Sequence, residues 1–257
     1  MVRGLYTAST GMVNQMARLD VISNNLANSD TTAYKKEGAT SQSFDALMAI
    51  KINDSSVHYI PQPIGKLSLG VKIGETYTDY SDGNLEETGN TLDVALNGRG
   101  FFAVSYADAN GMQSVRYTRD GNFAINSEGI LMTKDGDFIL DANGDTISIP
   151  QGTEISIDAY GKIFASGQEV ATLQMVDFEN YDYLKKFGEN MYIAIDGAVM
   201  QDASCRVYQG YLETSNVNVI SEMVEMISVA RNYESNQKII QSIDSTLERA
   251  VNLGKLI

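Results

Sequence analysis

The sequence predicts an α+β protein, in which long helices at the two termini pair as a coiled-coil domain and a mainly antiparallel β domain lies between them in the chain. Three observations support this prediction. Apolar residues recur at helical spacing near the N-terminus, the same spacing returns near the C-terminus, and turn dipeptides recur every seven to nine residues between them.

The N-terminal helix is predicted over residues 2–28. Within the apolar stripe, Leu5, Met12, Leu19 and Leu26 stand seven residues apart, which is the spacing of a coiled-coil seam. A core helix of a helical bundle has the same pattern, so both interpretations stay open for this segment. The full stripe, spaced by three and four residues, is Leu5, Ala8, Met12, Met16, Leu19, Ile22 and Leu26.

A polar run, SNNLANSDTTAYK, ends this helix between Ser23 and Lys35. Asn, Ser, Asp and Thr side chains bond to local backbone groups and so compete with helix continuation. We expect Asn24, Asn25 and Asn28 to bond neighbouring backbone where the helix stops. Residues 29–32 are then expected to turn the chain away from it.

The C-terminal helix is predicted from Val217 to Leu253, a stretch without Gly or Pro. Gln237 is the one polar member of its stripe. The positions, again spaced by three and four, are Val219, Met223, Met226, Ala230, Tyr233, Gln237, Ile240, Ile243, Leu247 and Ala250.

The middle of the chain, from about Thr76 to Gly210, is predicted to be β-rich because pairs such as Asp120-Gly121 and Asn143-Gly144 separate short apolar runs. Residues 37–75 are predicted to form an extended linker, which contains the segment IPQP. The predicted organisation is therefore terminal helices at 1–36 and 213–257, a linker at 37–75 and a β-rich domain at 76–212.

Charge and composition exclude several classes of function. The formal net charge is −14, and the surplus lies in the middle of the chain, since both ends are close to neutral. An acidic chain does not suit a nucleic-acid partner. Cys205 is the single cysteine, and no apolar run is long enough for a membrane span or an ordinary signal peptide.

Catalytic and ligand-binding motifs are not apparent. The single histidine, His58, lies in the linker, and one Cys with one His does not complete a zinc site. The acidic stretch from Lys134 to Asp145 does not match the calcium-loop spacing, because Thr146 stands where Gly is needed. NGRGFFA lacks the third Gly of a dinucleotide motif. We predict no catalytic, cofactor-binding or metal-binding residues, although a carboxylate pair acting on polysaccharide stays open.

Five sequence blocks follow one another nearly from end to end of the chain: GLYTASTGM, DVISNNLANSDTTAYK, LDVALNGRGFFAV, YTRDGNF and YQGYLETSNVNVISEMVEMI. In content and order they resemble the bacterial flagellar basal-body rod proteins, relatives of the hook protein within the axial family. The block at residues 208–219 is most similar to the distal member, whereas SIDSTLERAVNL, at residues 242–253, resembles the proximal member.

This resemblance implies a structural subunit of the rod and not an enzyme. It implies self-assembly into a helical tube whose inner wall is formed by the terminal helices around the export channel, with the β domain as an outer layer and the linker touching neighbouring subunits. The implied partners are other rod proteins, the hook protein and the flagellar type III export apparatus. The implied location is extracytoplasmic, in the basal body, reached without a cleaved signal peptide and without membrane insertion.

The residues expected at the assembly interface follow from the two stripes and the polar blocks beside them. They are Leu5, Met12, Leu19, Asn24, Asn25, Leu26, Asn28, Tyr34, Asn216, Asn218, Met223, Met226, Tyr233, Ile240 and Leu247.

Three alternatives to a distal rod subunit stay open. They are a proximal rod protein, a secreted coiled-coil adhesin or stalk, and a polysaccharide-acting enzyme.

Overall fold

A computed structural model describes residues 2–44, 47–50, 63–68, 70–108, 112–150, 152–188 and 190–254. The chain forms two compact units. The helical unit comprises Met1–Ala27, Glu37–Asp79 and Asn218–Ile257, and the β unit comprises Asn28–Lys36 and Tyr80–Val217. His58 lies outside the described residues, as does most of IPQP.

The helical unit contains both terminal helices and two pairs of antiparallel strands. α1 runs over Val2–Ala27 and α2 over Val219–Gly254, close to the predicted bounds. β1 pairs with β4, and β2 with β3. The strands are β1 (Glu37–Ser43), β2 (Leu47–Ile50), β3 (Pro63–Leu67) and β4 (Val71–Thr78).

The segment expected to be an extended linker therefore contains strands. β1 and β4 pair from Glu37↔Thr78 to Ser43↔Val71, with a register shift between Ala39 and Ser41. Both strands lie against α1, and the Asn14 amide donates to the Ser41 hydroxyl at 3.0 Å. β1 was hidden from sequence reasoning because its sequence, EGATSQS, is polar and its burial does not alternate. β4, VKIGETYT, alternates at its start and ends inside the predicted β region.

The β unit is built from short strands, as the turn spacing predicted. Its central strand, β7, carries the apolar run FFAV, which is buried along its whole length. The strands are β5 (Leu85–Glu87), β6 (Val94–Arg99), β7 (Phe101–Ala107), β8 (Gln113–Thr118), β9 (Phe123–Ile125), β10 (Leu131–Thr133), β11 (Phe138–Ile139), β12 (Ile155–Ile157), β13 (Lys162–Ala165), β14 (Gln168–Thr172), β15 (Met175–Phe178), β16 (Leu184–Phe187), β17 (Met191–Ala194), β18 (Met200–Asp202), β19 (Ser204–Gln209) and β20 (Tyr211–Glu213).

The largest sheet of the β unit has the order β16-β17-β8-β7-β11-β10-β9, and β15 pairs with both β7 and β18. Successive side chains of a strand point to opposite faces. Phe102 and Val104 accordingly belong to one apolar cluster, whereas Phe101 and Ala103 belong to another. Burial on both faces explains why β7 has a continuous apolar run instead of an alternating one.

Gly121 has a different role from the other turn glycines. Gly136 and Gly144 have positive φ values, as their tight turns require. Gly121 instead lies so close to β6 that an added Cβ would stand 1.5 Å from the carbonyl oxygen of Val94. The Gly in YTRDGNF is therefore needed for a close backbone approach.

The predicted α+β class, with terminal helices and a mainly antiparallel β region, is confirmed. Within the described ranges, no helix is long and apolar enough to cross a membrane. In the same part of the chain, no group of three or more His, Cys, Asp or Glu side chains is placed to hold a metal ion.

Candidate functional site

The line along which α1 and α2 meet, which we call the helix seam, is one of two candidate sites. An added Cβ at Gly4 would be 3.6 Å from Ile243, and one at Gly11 would be 3.0 Å from Asn236. Near the other end, the Asn25 amide donates to the Glu222 carboxylate at 3.3 Å. Since the α2 numbers fall as the α1 numbers rise, the helices are antiparallel.

The heptad line predicted for α1 lies one residue from the line that contacts α2, whereas Ala8 and Ile22 of the full predicted stripe are buried. Gly4, Gly11 and Asn25 contact α2, together with Arg18, which donates to Glu225 at 2.7 Å. These four positions are seven residues apart, so they form one line along the helix. The predicted line, one residue further along the chain, is half-buried at each of its positions, Leu5, Met12, Leu19 and Leu26.

On α2 the seam includes two residues that the predicted interface omitted. Glu222 and Val229 are each 1% exposed, the lowest exposures on this helix. Among the predicted residues, Met226, Tyr233 and Ile240 are half-buried, whereas Met223 and Leu247 are exposed. A buried Glu inside an apolar stripe gives no hydrophobic signal, so the sequence pattern did not reveal it.

Asn25 fastens the end of α1 to β1 as well as to α2. Its side-chain amide donates to the carbonyl oxygen of Glu37 at 2.8 Å and accepts from the Glu37 N–H at 2.9 Å. Such a reciprocal pair imitates a strand ladder. The neighbouring backbone that Asn25 bonds is therefore that of Glu37 in its own chain. Asn25 is buried, whereas Asn24 is exposed.

Asn218 caps the start of α2. Its side-chain oxygen accepts from the Ser221 N–H at 3.0 Å, and its carbonyl oxygen accepts from the Glu222 N–H. An Asn at this position satisfies an N–H that the first helical turn leaves without a partner. The polar block before the C-terminal stripe therefore defines where α2 begins.

Replacing Gly4 with Ala is expected to stabilise α1 by roughly 0.5–1 kcal/mol, because Gly in a helix carries an entropic cost and Ala does not. Its Cβ would make an ordinary contact with Ile243, at 3.6 Å. Thermal unfolding followed by circular dichroism measures the change. Gly11→Ala is the matched control, because its Cβ at 3.0 Å from Asn236 requires that side chain to move. An equal gain at both positions would contradict the seam geometry.

The second candidate site lies in the β unit and is a cluster of charges, the buried Lys35, Arg119 and Glu213 with the exposed Asp82, which we call the junction cluster. Lys35 Nζ lies 2.6 Å from Glu213 Oε1, and Arg119 Nη1 lies 3.4 Å from Glu213 Oε2 and 3.2 Å from Asp82. The side chains of Lys35, Arg119 and Glu213 are at most 2% exposed. Such charges are stable when buried only if they are paired and hydrogen-bonded.

The junction cluster joins the segment that follows α1 to β20, which precedes α2. Beside the ion pairs, the Ala33 N–H donates to the carbonyl oxygen of Glu213 at 2.8 Å. The Gly83 N–H donates to the Glu213 carboxylate at 2.8 Å, and Lys35 donates to the carbonyl oxygen of Ser81. The two chain segments are thus held together by both backbone and side-chain bonds.

Three predicted interface residues lie around this cluster. Tyr34 is completely buried, and Lys186 Nζ lies 3.9 Å from the centre of its ring. Asn216 accepts from the Lys36 N–H at 2.7 Å and donates its own backbone N–H to the Tyr34 carbonyl oxygen. Asn28, which is half-buried, accepts from the Thr31 hydroxyl at 3.1 Å.

The electrostatics of the cluster show the cost of burial. Burial lowers the pKa of Lys35 below its usual range, although the neighbouring Glu213 raises it. Nearby, burial raises the pKa of Asp120, whose carboxylate accepts from the Thr32 hydroxyl at 2.9 Å. Sequence reasoning missed Lys35, Glu213 and Arg119 as site residues. Lys35 and Glu213 do lie inside the polar blocks, but their pairing over 178 residues carries no local signal.

Three models of flagellar families match the chain. The basal-body rod protein model matches residues 5–35, the hook protein FlgE/F/G D1 domain model matches 95–165, and the rod FlgEFG C-terminal model matches 208–253. The first model covers most of α1 and the segment that follows it, and the last covers nearly all of α2. The junction cluster draws residues from all three matched segments, with Lys35 in the first, Arg119 in the second and Glu213 in the last.

Curated relatives cover nearly the full chain. The basal-body rod protein FlgG of Bacillus subtilis is 35% identical over 99% of this chain and all of its own length. FlgG of Buchnera aphidicola from Schizaphis graminum is 34% identical over 98% of this chain and all of its own length. The rod protein FlgF of Caulobacter vibrioides is 31% identical over the full length of both chains.

Paired terminal helices around a mainly antiparallel β unit, together with family models and relatives that are all flagellar rod or hook proteins, define a structural protein and not an enzyme. The chain belongs to the flagellar basal-body rod protein family. Its similarity to FlgG over nearly the full length supports the distal rod type. The function predicted from the sequence, a structural subunit of the rod, is confirmed at this level.

Proposed function

We propose that copies of this chain assemble through their terminal helices into a helical tube, which encloses the export channel and transmits motor torque to the hook. The observation that carries this proposal is apolar surface left on both helices after they have paired. Tyr6, Val13 and Met16 of α1 are more than half exposed, as are Ile220 and Val224 of α2.

An apolar surface of this extent, on the most regular elements of the chain, favours burial against another chain. The helix pair satisfies only one face of each helix, and apolar burial is the main stabiliser of amphipathic helices. We propose coiled-coil packing among several copies, with the half-buried line of Leu5, Met12, Leu19 and Leu26 beside each seam. A contact between two different surfaces that does not close on itself builds a helical assembly.

The near-neutral ends of the chain support this arrangement. The surplus of negative charge lies between the helices in sequence, so copies of the helices can approach without strong repulsion. The proposed partners are further copies of the chain, other rod proteins and the hook protein. The proposed location is the extracytoplasmic part of the basal body, reached through the flagellar type III export apparatus without a cleaved signal peptide.

Imaging of basal bodies tests this function. In a deletion strain of the bacterium that encodes this chain, we expect the axial structure to stop before the hook and motility to be lost. Expression of the full chain from a plasmid should restore both, and the chain should be recovered in purified basal bodies. A complete rod in the deletion strain would contradict the proposal.

Solution assembly separates the tube from a closed adhesin or stalk. The purified full chain is expected to form tubes of variable length above a threshold concentration, visible by electron microscopy. A single small oligomer of constant mass over a hundredfold range of concentration would instead favour the closed assembly.

A further inference from the structure

We propose that a second copy of this chain docks its α1 antiparallel on the outward face of α2, with Val13 opposite Val224. This inference rests on the proposed function, for which it specifies the two surfaces and their register. The two surfaces are an α1 stripe of Tyr6, Val13 and Met16 and an α2 stripe of Ile220, Val224 and Ile227, all of them more than half exposed.

The α1 stripe points away from the helix seam. Tyr6 and Val13 each follow a seam position, Gly4 or Gly11, by two residues, and Met16 precedes Arg18 by two. Two residues correspond to about 200° of rotation around a helix, so the three side chains lie on the face opposite α2. They cannot be covered by the α2 of their own chain.

The α2 stripe points outward for the same reason. Ile220 and Val224 lie two residues on either side of Glu222, and Ile227 precedes Val229 by two. Glu222 and Val229 are the most buried residues of α2. The apolar part of this outward face is confined to the first turns of the helix, because Arg231, Glu234 and Lys238 follow along it. On this face, the first turns of α2 are therefore the place that suits an apolar partner.

A groove beside this stripe has a suitable shape. It has a volume of about 450 Å³, and Ile220 and Val224 form one of its walls. Arg18 and Glu225, which are paired at 2.7 Å, line it on the side of α1. A slender apolar side chain such as Met16 of the neighbouring copy suits a groove with an apolar wall and a paired polar wall, since neither charge is left without its partner.

Charge complementarity favours this register over one that is shifted by seven residues. When Val13 of one copy faces Val224 of the other in antiparallel helices, Tyr6 faces Arg231 and Arg3 faces Glu234. These pairs add a cation–π contact and an ion pair to the apolar contacts. If the docked α1 is shifted by seven residues toward the C-terminus of α2, Val13 faces Arg231 and Asp20 faces Val224, so charged side chains oppose apolar ones. If it is shifted by seven residues the other way, Val13 lies beyond the start of α2.

Within one chain, the seam pairs position 11 with position 236, so Val13 and Val224 are displaced by about ten residues, roughly 15 Å along the helices. The proposed contact therefore staggers neighbouring copies by about that distance. The nine side chains of this contact, six of the two stripes with Arg3, Arg231 and Glu234, are expected to bury less than the roughly 1,000 Å² of a stable pairwise interface. A single contact is then weak, and the chain assembles only where contacts repeat.

Disulfide trapping tests the register in the full chain. In a Cys205→Ala background, Val13→Cys combined with Val224→Cys is expected to give intermolecular ladders on mild oxidation, at least tenfold more than Val13→Cys combined with Arg231→Cys. All three positions are exposed, so each variant should fold. Gly11→Cys with Asn236→Cys reports an intact seam by an intramolecular bond.

A charge exchange provides a second measurement. Arg3→Glu should raise the concentration needed for assembly several-fold, and adding Glu234→Arg should restore it.

The outcomes separate this inference from the proposed function. Tubes without preferential cross-linking of the 13/224 pair, or without rescue by the charge exchange, would overturn the register and leave the proposed function in place. Cross-linked oligomers without tubes would support the register and count against the tube. Neither tubes nor cross-links at any concentration would overturn both.

Discussion

Replacing Glu213 with Gln is expected to lower the free energy of unfolding of the β unit by about 3–5 kcal/mol, because it removes the one buried anion that two buried cations share. Glu213 lies 2.6 Å from Lys35 and 3.4 Å from Arg119, and all three side chains are at most 2% exposed. Gln has the same shape and can still accept from the Gly83 N–H, so the charge is the main change.

Urea denaturation of the full chain measures this loss when it is followed by tyrosine fluorescence, to which the β unit contributes ten of the 14 tyrosines. Glu86→Gln is the matched control, since Glu86 is exposed on β5 and its replacement should change the free energy of unfolding by less than about 0.5 kcal/mol. If both variants behaved alike, the junction cluster would not have the role that its geometry indicates.

The cluster is expected to determine geometry more than to add net stability. Burial lowers the pKa of Lys35 despite the neighbouring carboxylate, so burying this cation is costly even when it is paired. The pair brings residue 35, in the segment that follows α1, next to residue 213, in the strand that precedes α2. A hydrophobic pair would not specify this partner as narrowly.

Replacing Val229 with Asp is expected to abolish assembly and motility. Val229 is 1% exposed at the helix seam, and replacing this buried apolar side chain with a carboxylate costs roughly 3 kcal/mol or more. The helices should separate and lose much of their helicity, because long amphipathic helices depend on packing. The β unit has its own apolar clusters and should remain folded.

Motility on soft agar, electron microscopy of the purified chain and far-UV circular dichroism measure these effects. Gln241→Asp is the control, because this residue is exposed on the same helix and a carboxylate there stays solvated. Leu19→Asp and Ile240→Asp, at predicted interface positions that are half-buried, should act in the same direction. Normal swimming by the Val229→Asp strain would refute a role for the helix seam in assembly.

Much of the fold was predictable because its signals are local. Helical spacing located α1 and α2, and turn dipeptides located the strands of the β unit, since each pattern reports a short-range periodicity. The strand β1 was missed because its side chains are polar and more than half of them are exposed. Asn218 and Asn25 were predicted as assembly-interface residues. In the structure Asn218 caps α2, and Asn25 bonds β1 and α2 of its own chain.

The sequence by itself determined the class of the protein, its two helices with their apolar stripes, and the regularly spaced turns of the β region between them. These features depend on composition and on periodicity within a few residues. Only the tertiary structure decided which line of α1 meets α2, and that Lys35, Arg119 and Glu213 form one buried cluster. Those contacts join residues that are far apart in the chain. No local pattern records such a pairing, because it forms only when segments that are distant in the chain pack against each other.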